Sequence, residues 1–130
     1  MIRRAMLIAV VMFIACVSGV MAGGPPDKEK TALETATRWI ALVDSEKYAE
    51  SWAQASEFFK TSIEQEKWER IVWEARRPLV TLRERKMIGS SYETSLAGAP
   101  EGEYAVIQFR SLYFRRLAIE TVTVSREKDG

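Results

Sequence analysis

The sequence predicts an α+β domain: three N-terminal helices packed on one face of a curved antiparallel sheet, behind a leader segment. Three observations carry this reading. Apolar residues recur at helical spacing between Leu33 and Ala75. Pro78 then stops that period, because the residue before a proline is pushed out of the α region. Beyond it the period is two, with Ala105, Ile107 and Phe109 in one row and Ala118, Glu120, Val122 and Val124 in another. Helices first and strands afterwards is the element order of an α+β fold.

The N-terminus comes before that pattern and has the grammar of an export signal. Arg3 and Arg4 form a basic start, Ala5 to Val20 carry no charge, and Val20-Met21-Ala22 ends in the small-x-small pattern that signal peptidase cleaves. The expected boundaries are residues 1–22 for the signal peptide, cut after Ala22, and 23–130 for a single domain. Two alternatives stay open. Ala5 to Ala22 is just long enough for a retained anchor helix, and Cys16 after Phe13-Ile14-Ala15 loosely resembles a lipidation box.

Within the domain, Gly23 to Pro26 reads as a flexible lead-in and Asp27 as the N-cap of a first helix. Leu33, Ala36, Ile40 and Val43 form the stripe of that helix, which ends at about Val43. A second helix is expected from Glu46 to Phe59, with Tyr48, Trp52, Ala55 and Phe59 on one side. Thr61 or Ser62, each followed three residues later by Glu64 or Gln65, predicts a capping box. The helix it would open carries Ile63, Trp68, Ile71, Val72 and Ala75. Val80 to Tyr92 is the first strand, and Leu82 and Met87 fall out of phase in it, which predicts a bulge near Glu84-Arg85. Gly98, Pro100 and Gly102 mark a turn. Glu103 to Leu112 and Leu117 to Arg126 complete the sheet. Asp129-Gly130 is a hairpin signal with no strand after it, so Leu117–Arg126 is expected at an open edge prone to self-association.

Composition limits function more than it suggests one. The 130 residues carry a net charge of +1. Removing Arg3 and Arg4 with the leader turns this to −1, which gives no bulk attraction to nucleic acid or anionic lipid. Contact with a membrane is therefore expected only through the signal segment before cleavage. The chain has no histidine and one cysteine, Cys16, inside the leader. A Ser-His-Asp triad, a histidine zinc site and, after cleavage, a thiol nucleophile or a disulfide are all excluded. No phosphate-cradling glycine loop is present. No cofactor or metal is expected.

A spaced set of residues across nearly all of the expected domain resembles the DUF4019 family, small exported bacterial domains of unknown function. The set comprises Trp39, Val43-Asp44, Tyr48, Ser51-Trp52, Phe58-Phe59-Lys60, Trp68, Arg76 to Leu79, Arg85, Gly98-Ala99-Pro100, Gly102-Glu103-Tyr104 and Glu120 to Thr123. The resemblance implies a periplasmic or secreted helix-then-sheet domain, and no reaction. Val80 stands where the family tends to have glycine and Ala97 where it tends to have proline. The family pattern also continues past Asp-Gly into a further strand. By element order alone the layout is similar to NTF2-like or cystatin-like cones.

The candidate binding residues are Arg76, Arg85, Tyr104 and Glu120, and Glu120 is the single catalytic candidate. Strict alternation puts its carboxylate in an apolar row, where an unpaired charge is costly. It either pairs with Arg76, Arg77 or Arg85 or has a raised pKa suited to acid-base work. Ion pairing between helix end and sheet is the favoured reading. Asp44 and Tyr48 form a second pair, read as an N-cap and a packed aromatic rather than a proton-transfer pair. Trp39, Trp52 and Trp68 read as core, and Trp73 falls off the stripe. Arg76-Arg77 and Arg115-Arg116 read as solvated surface. Together these favour a non-enzymatic envelope module that binds a small ligand or an envelope protein, with recognition on the sheet face away from the helices. The alternative is a small acid-base enzyme using Glu120 with an arginine.

Overall fold

The computed structural model describes residues 10–16, 25–114 and 116–126. Strand β1 (Val10–Cys16) is followed by helices α1 (Pro25–Asp44), α2 (Tyr48–Ala53), α3 (Glu57–Ser62) and α4 (Gln65–Arg76). A single 3-10 turn, Arg77–Leu79, then leads into strands β2 (Leu82–Glu93), β3 (Tyr104–Tyr113) and β4 (Leu117–Arg126). The sheet runs β1-β4-β3-β2, with β2, β3 and β4 antiparallel and β1 parallel to β4. The expected α+β class therefore holds, with two corrections to its layout: four helices instead of three, and a fourth strand on the edge of β4. That strand lies inside the segment read as a leader. The proposed cleavage after Ala22 and the Asp129-Gly130 turn lie outside the described residues.

Each helical difference has a local cause. The first helix starts at Pro25, two residues before the expected cap Asp27, since prolines in the first turn have φ already set and lose no hydrogen bond. It ends in a Schellman pair: Lys47 N–H donates to Leu42 O at 2.8 Å and Glu46 N–H to Val43 O at 3.1 Å, with Glu46 at φ 61°. The aromatic stripe from Tyr48 to Phe59 spans two helices because Ser56 breaks it. Its hydroxyl accepts from Phe59 N–H at 3.0 Å and caps α3. The capping box does not form. Thr61 and Ser62 hydroxyls donate back to Phe58 O, Ile63 is extended, and Glu64 takes the N-cap position of α4 without a side-chain bond.

The core lies between the helices and one face of the sheet. Trp39, Ile40, Val43, Phe59, Trp68 and Val72 from the helices meet Ile107 and Phe109 of β3 and Val122 and Val124 of β4. Phe59 packs edge-on to Trp68 at 4.9 Å between ring centroids, and Trp39 lies 5.9 Å from Trp68. Their indoles need acceptors once buried. Trp39 Nε1 donates to Ser51 O at 2.8 Å, and Trp68 Nε1 donates to Ser51 Oγ at 3.0 Å. Ser51 is fully buried and turns its own proton to Tyr48 O, so one small residue in α2 holds two tryptophans, Trp39 through its carbonyl and Trp68 through its hydroxyl.

β2 has two register shifts, between Leu82 and Glu84 and between Met87 and Gly89. Without the first, alternation from the inward Leu82 would turn Glu84 to the helices. With one residue inserted, Arg85 comes opposite Ser111 in the inward row instead.

Candidate functional site

The inward Arg85 reaches a cluster assembled from five elements. Asp44 ends α1, Arg76 ends α4, Arg85 follows the β2 bulge, Tyr113 ends β3 and Glu120 sits in β4. Glu120 is 2% exposed. Its Oε1 accepts from Arg85 at 2.9 Å and from the Tyr113 hydroxyl at 2.8 Å, and its Oε2 accepts from Arg76 at 2.8 Å. Asp44 takes the other side of both guanidiniums, accepting from Arg76 at 2.7 Å and from Arg85 at 2.6 and 3.1 Å. Arg85 Nε–H donates to the buried Ser111 hydroxyl at 3.0 Å. The Arg76 guanidinium also lies 5.6 Å from the centre of the Tyr113 ring.

Two positive and two negative groups cancel here, and the electrostatics follow from that balance. Burial pushes the Asp44 carboxyl up, but the bonds from Arg85 and Arg76 outweigh it and hold Asp44 below its usual range. Burial works against the Arg85 charge, yet Asp44 and Glu120 together raise its pKa further. Tyr113 is raised by burial and by the neighbouring Glu120, against the pull of Arg76 and Arg85, so its phenol keeps its proton and donates. A buried carboxylate is tolerated when each of its oxygens finds a charged or polar donor, and both oxygens of Glu120 do. Arg76 Nε is the buried side-chain polar atom without a partner among the described residues.

Above this cluster a cleft of about 630 Å³ opens where the end of α1, the end of α4 and the start of β2 diverge. Tyr48, Trp73, Arg76, Arg77 and Tyr113 line it with Val80. Trp73 is 48% exposed, and the Arg77 guanidinium stacks 5.0 Å from its ring centre. Val80 forms the lip at φ 64°, a left-handed conformation that costs a β-branched residue strain. The cleft is on the helix side of the sheet, at the seam, whereas recognition was expected on the uncovered face. The helical layer stops at Arg76, and beyond it Leu79 packs with Tyr113, Ala118 and Leu82 over the end of the sheet.

Of the residues singled out in the sequence, the structure brings Arg76, Arg85 and Glu120 together. Arg77 turns away to Trp73. Tyr104 is elsewhere: it pairs with Ser125 near the far end of β4, and its buried hydroxyl donates to Pro100 O. Asp44 is no N-cap; Lys47 precedes α2, and Asp44 serves the two arginines instead of Tyr48. Tyr113 lies one residue past the expected strand end at Leu112, and Ser111 inside that strand is too small and polar to mark an apolar row, although both continue the row of Ala105, Ile107 and Phe109. Asp44 did leave a signal, since a carboxylate in the last turn of a helix faces the negative end of the dipole and needs a cation.

Among the described residues no group of three or more His, Cys, Asp or Glu could hold a metal ion, and no helix is long and apolar enough to cross a membrane. A family model described as protein of unknown function (DUF4019) matches residues 35–130. No curated protein and no solved structure matches the chain.

Proposed function

Because the chain belongs to the DUF4019 family, which has no assigned activity, we propose from the geometry that it is an exported, non-enzymatic module that binds a small ligand in the seam cleft. The observation that carries this reading is the engagement of Glu120. A general acid or base must reach a substrate proton, and this carboxylate is buried with both oxygens held by Arg76, Arg85 and Tyr113. Its role is to pin the ends of α1 and α4 to the sheet and so to shape the cleft floor. The walls offer what a small-molecule site uses, aromatic surface from Tyr48 and Trp73 beside a few polar groups. Export rests on the leader pattern at residues 1–22.

The test is native mass spectrometry of protein prepared from the cell envelope without denaturation. The proposal expects a bound small molecule on the wild type that is lost when Ser45, a residue lining the cleft, is replaced in Ser45→Trp. A wild type without adduct, or an adduct indifferent to Ser45→Trp, speaks against it.

A second reading, self-association through β4, has its own support. The outer edge of β4 pairs with β1 from Val10↔Glu120 to Cys16↔Arg126, and β1 belongs to the segment expected to be removed. Removal would bare seven positions of edge, which a second copy can pair with. Light scattering on the exported form should then show mass rising with concentration; a constant monomer mass rejects it.

A further inference from the structure

The face of the sheet turned away from the helices is polar for most of its length but changes character where β3 turns into β4. Leu112 and Leu117 are cross-strand partners there, 42% and 51% exposed, and Phe114 beyond them is 51% exposed. The start of β2 lies alongside, since Phe114 N–H donates to Thr81 O at 2.8 Å. Three guanidiniums surround these side chains. Arg83 lies 4.9 Å from the centre of the Phe114 ring, Arg116 is exposed within the turn, and Arg110 is exposed two residues before Leu112 on the same face. None of the three forms a salt bridge with a described carboxylate within 4.0 Å, and Glu84, which stands opposite Leu112 on this face, is already paired with Lys86 at 3.3 Å.

We propose that this hairpin end docks on the surface of a bilayer containing anionic phospholipid. The apolar side chains protrude at a turn instead of lining a groove, which suits insertion between headgroups better than capture of a peptide. Aromatic rings settle at the level of the headgroups, and the arginines around them are placed to meet lipid phosphates with forked donors. The attraction is local. A mature chain of net charge −1 has no long-range pull on such a surface, so binding depends on contact and falls with salt. The site shares no residue with the cleft and stands or fails separately from the ligand reading.

Flotation of the full chain with 100 nm vesicles of phosphatidylcholine alone, or with about a third phosphatidylglycerol, tests this at low and high salt. At roughly fivefold per arginine near an anionic surface, Arg83→Ala with Arg116→Ala should weaken binding to the anionic vesicles about 30-fold. Phe114→Ser with Leu117→Ser should weaken it about tenfold or more while leaving the lipid preference in place. The arginine pair leaves the apolar surface intact, and circular dichroism of both variants separates a docking defect from a folding one. Equal binding to both vesicles with no effect of the arginine variant would assign any flotation to the apolar leader and overturn the proposal. Absence of flotation overturns it as well. So does a lipid-independent dimer that Leu112→Ala with Leu117→Ala disrupts, which would make this face a contact between copies of the chain.

Discussion

The two ends of the helix–sheet interface solve the same packing problem with opposite chemistry. Around Trp68 the contact is apolar, and its few polar atoms, the two indole N–H groups and Ser51, satisfy one another. Around Glu120 the contact is ionic, and five side chains from five elements must be in place together. An apolar contact tolerates small displacements because burial is not directional. A buried charge does not, since a lost donor leaves an uncompensated ion. The ionic end therefore fixes the relative positions of α1, α4 and the strands most tightly beside the cleft, where a binding site needs fixed walls.

The comparison predicts which perturbations each end will feel. Trp68→Ala removes a fully packed indole and should cost about 3–5 kcal/mol in denaturant unfolding, with little dependence on pH or salt. Glu120→Leu should cost a similar amount, about 3–5 kcal/mol, because Arg76 and Arg85 lose one of their two carboxylates. If Glu120→Leu proves neutral, the ionic end is dispensable and the contrast between the ends fails.

The pH response sharpens the contrast. Asp44 has a folded pKa held below its ordinary 3.8. The stability it contributes is present above that unfolded value and is lost as pH falls below it through the lower folded one. Unfolding midpoints followed downward from pH 6 should drop in the wild type below about pH 4. They should drop less steeply in Asp44→Asn, whose deficit at neutral pH shrinks in acid. A parallel fall in both chains would remove Asp44 from the account.

How far each end was legible in the sequence follows from the same difference. The apolar end obeys periodicity, so the rows Ala105-Ile107-Phe109 and Ala118-Val122-Val124, the bounds of β4 and the core tryptophans could all be read. The ionic end is held by contacts 28 to 44 residues apart in sequence between Arg76 or Arg85 and Tyr113, Asp44 or Glu120, and no local pattern encodes them. Glu120 was visible because a carboxylate breaks an apolar row, and the arginines because they were its available partners. Asp44 reads as the start of the next helix, since Asp-Ser followed by a renewed stripe is also what a cap looks like. The β2 bulge was anticipated, but its consequence, turning Arg85 inward, depends on the register with β3. The break at Ser56 was hidden by an aromatic stripe that runs through it.

The smallest expected effect concerns the cleft lip. Val80 holds φ 64° with its side chain 63% exposed, so it suffers the strain of that conformation and gains little from burial. Val80→Gly relieves the strain at an entropic cost in the unfolded chain and should leave a net gain of about 1 kcal/mol or less. A loss of stability would mean that Val80 makes a contact at the lip worth more than its strain.

The central claim is that Glu120 is a structural tie whose partners act as one unit. A double-mutant cycle in equilibrium unfolding, with Arg85→Met, Glu120→Leu and the pair, measures this directly. Residues in one buried network should couple by about 1–3 kcal/mol, with the double variant more stable than the sum of the single losses allows. Losses that add to within about 0.5 kcal/mol would show that the two do not act together, and Glu120 would again be available for chemistry in the cleft.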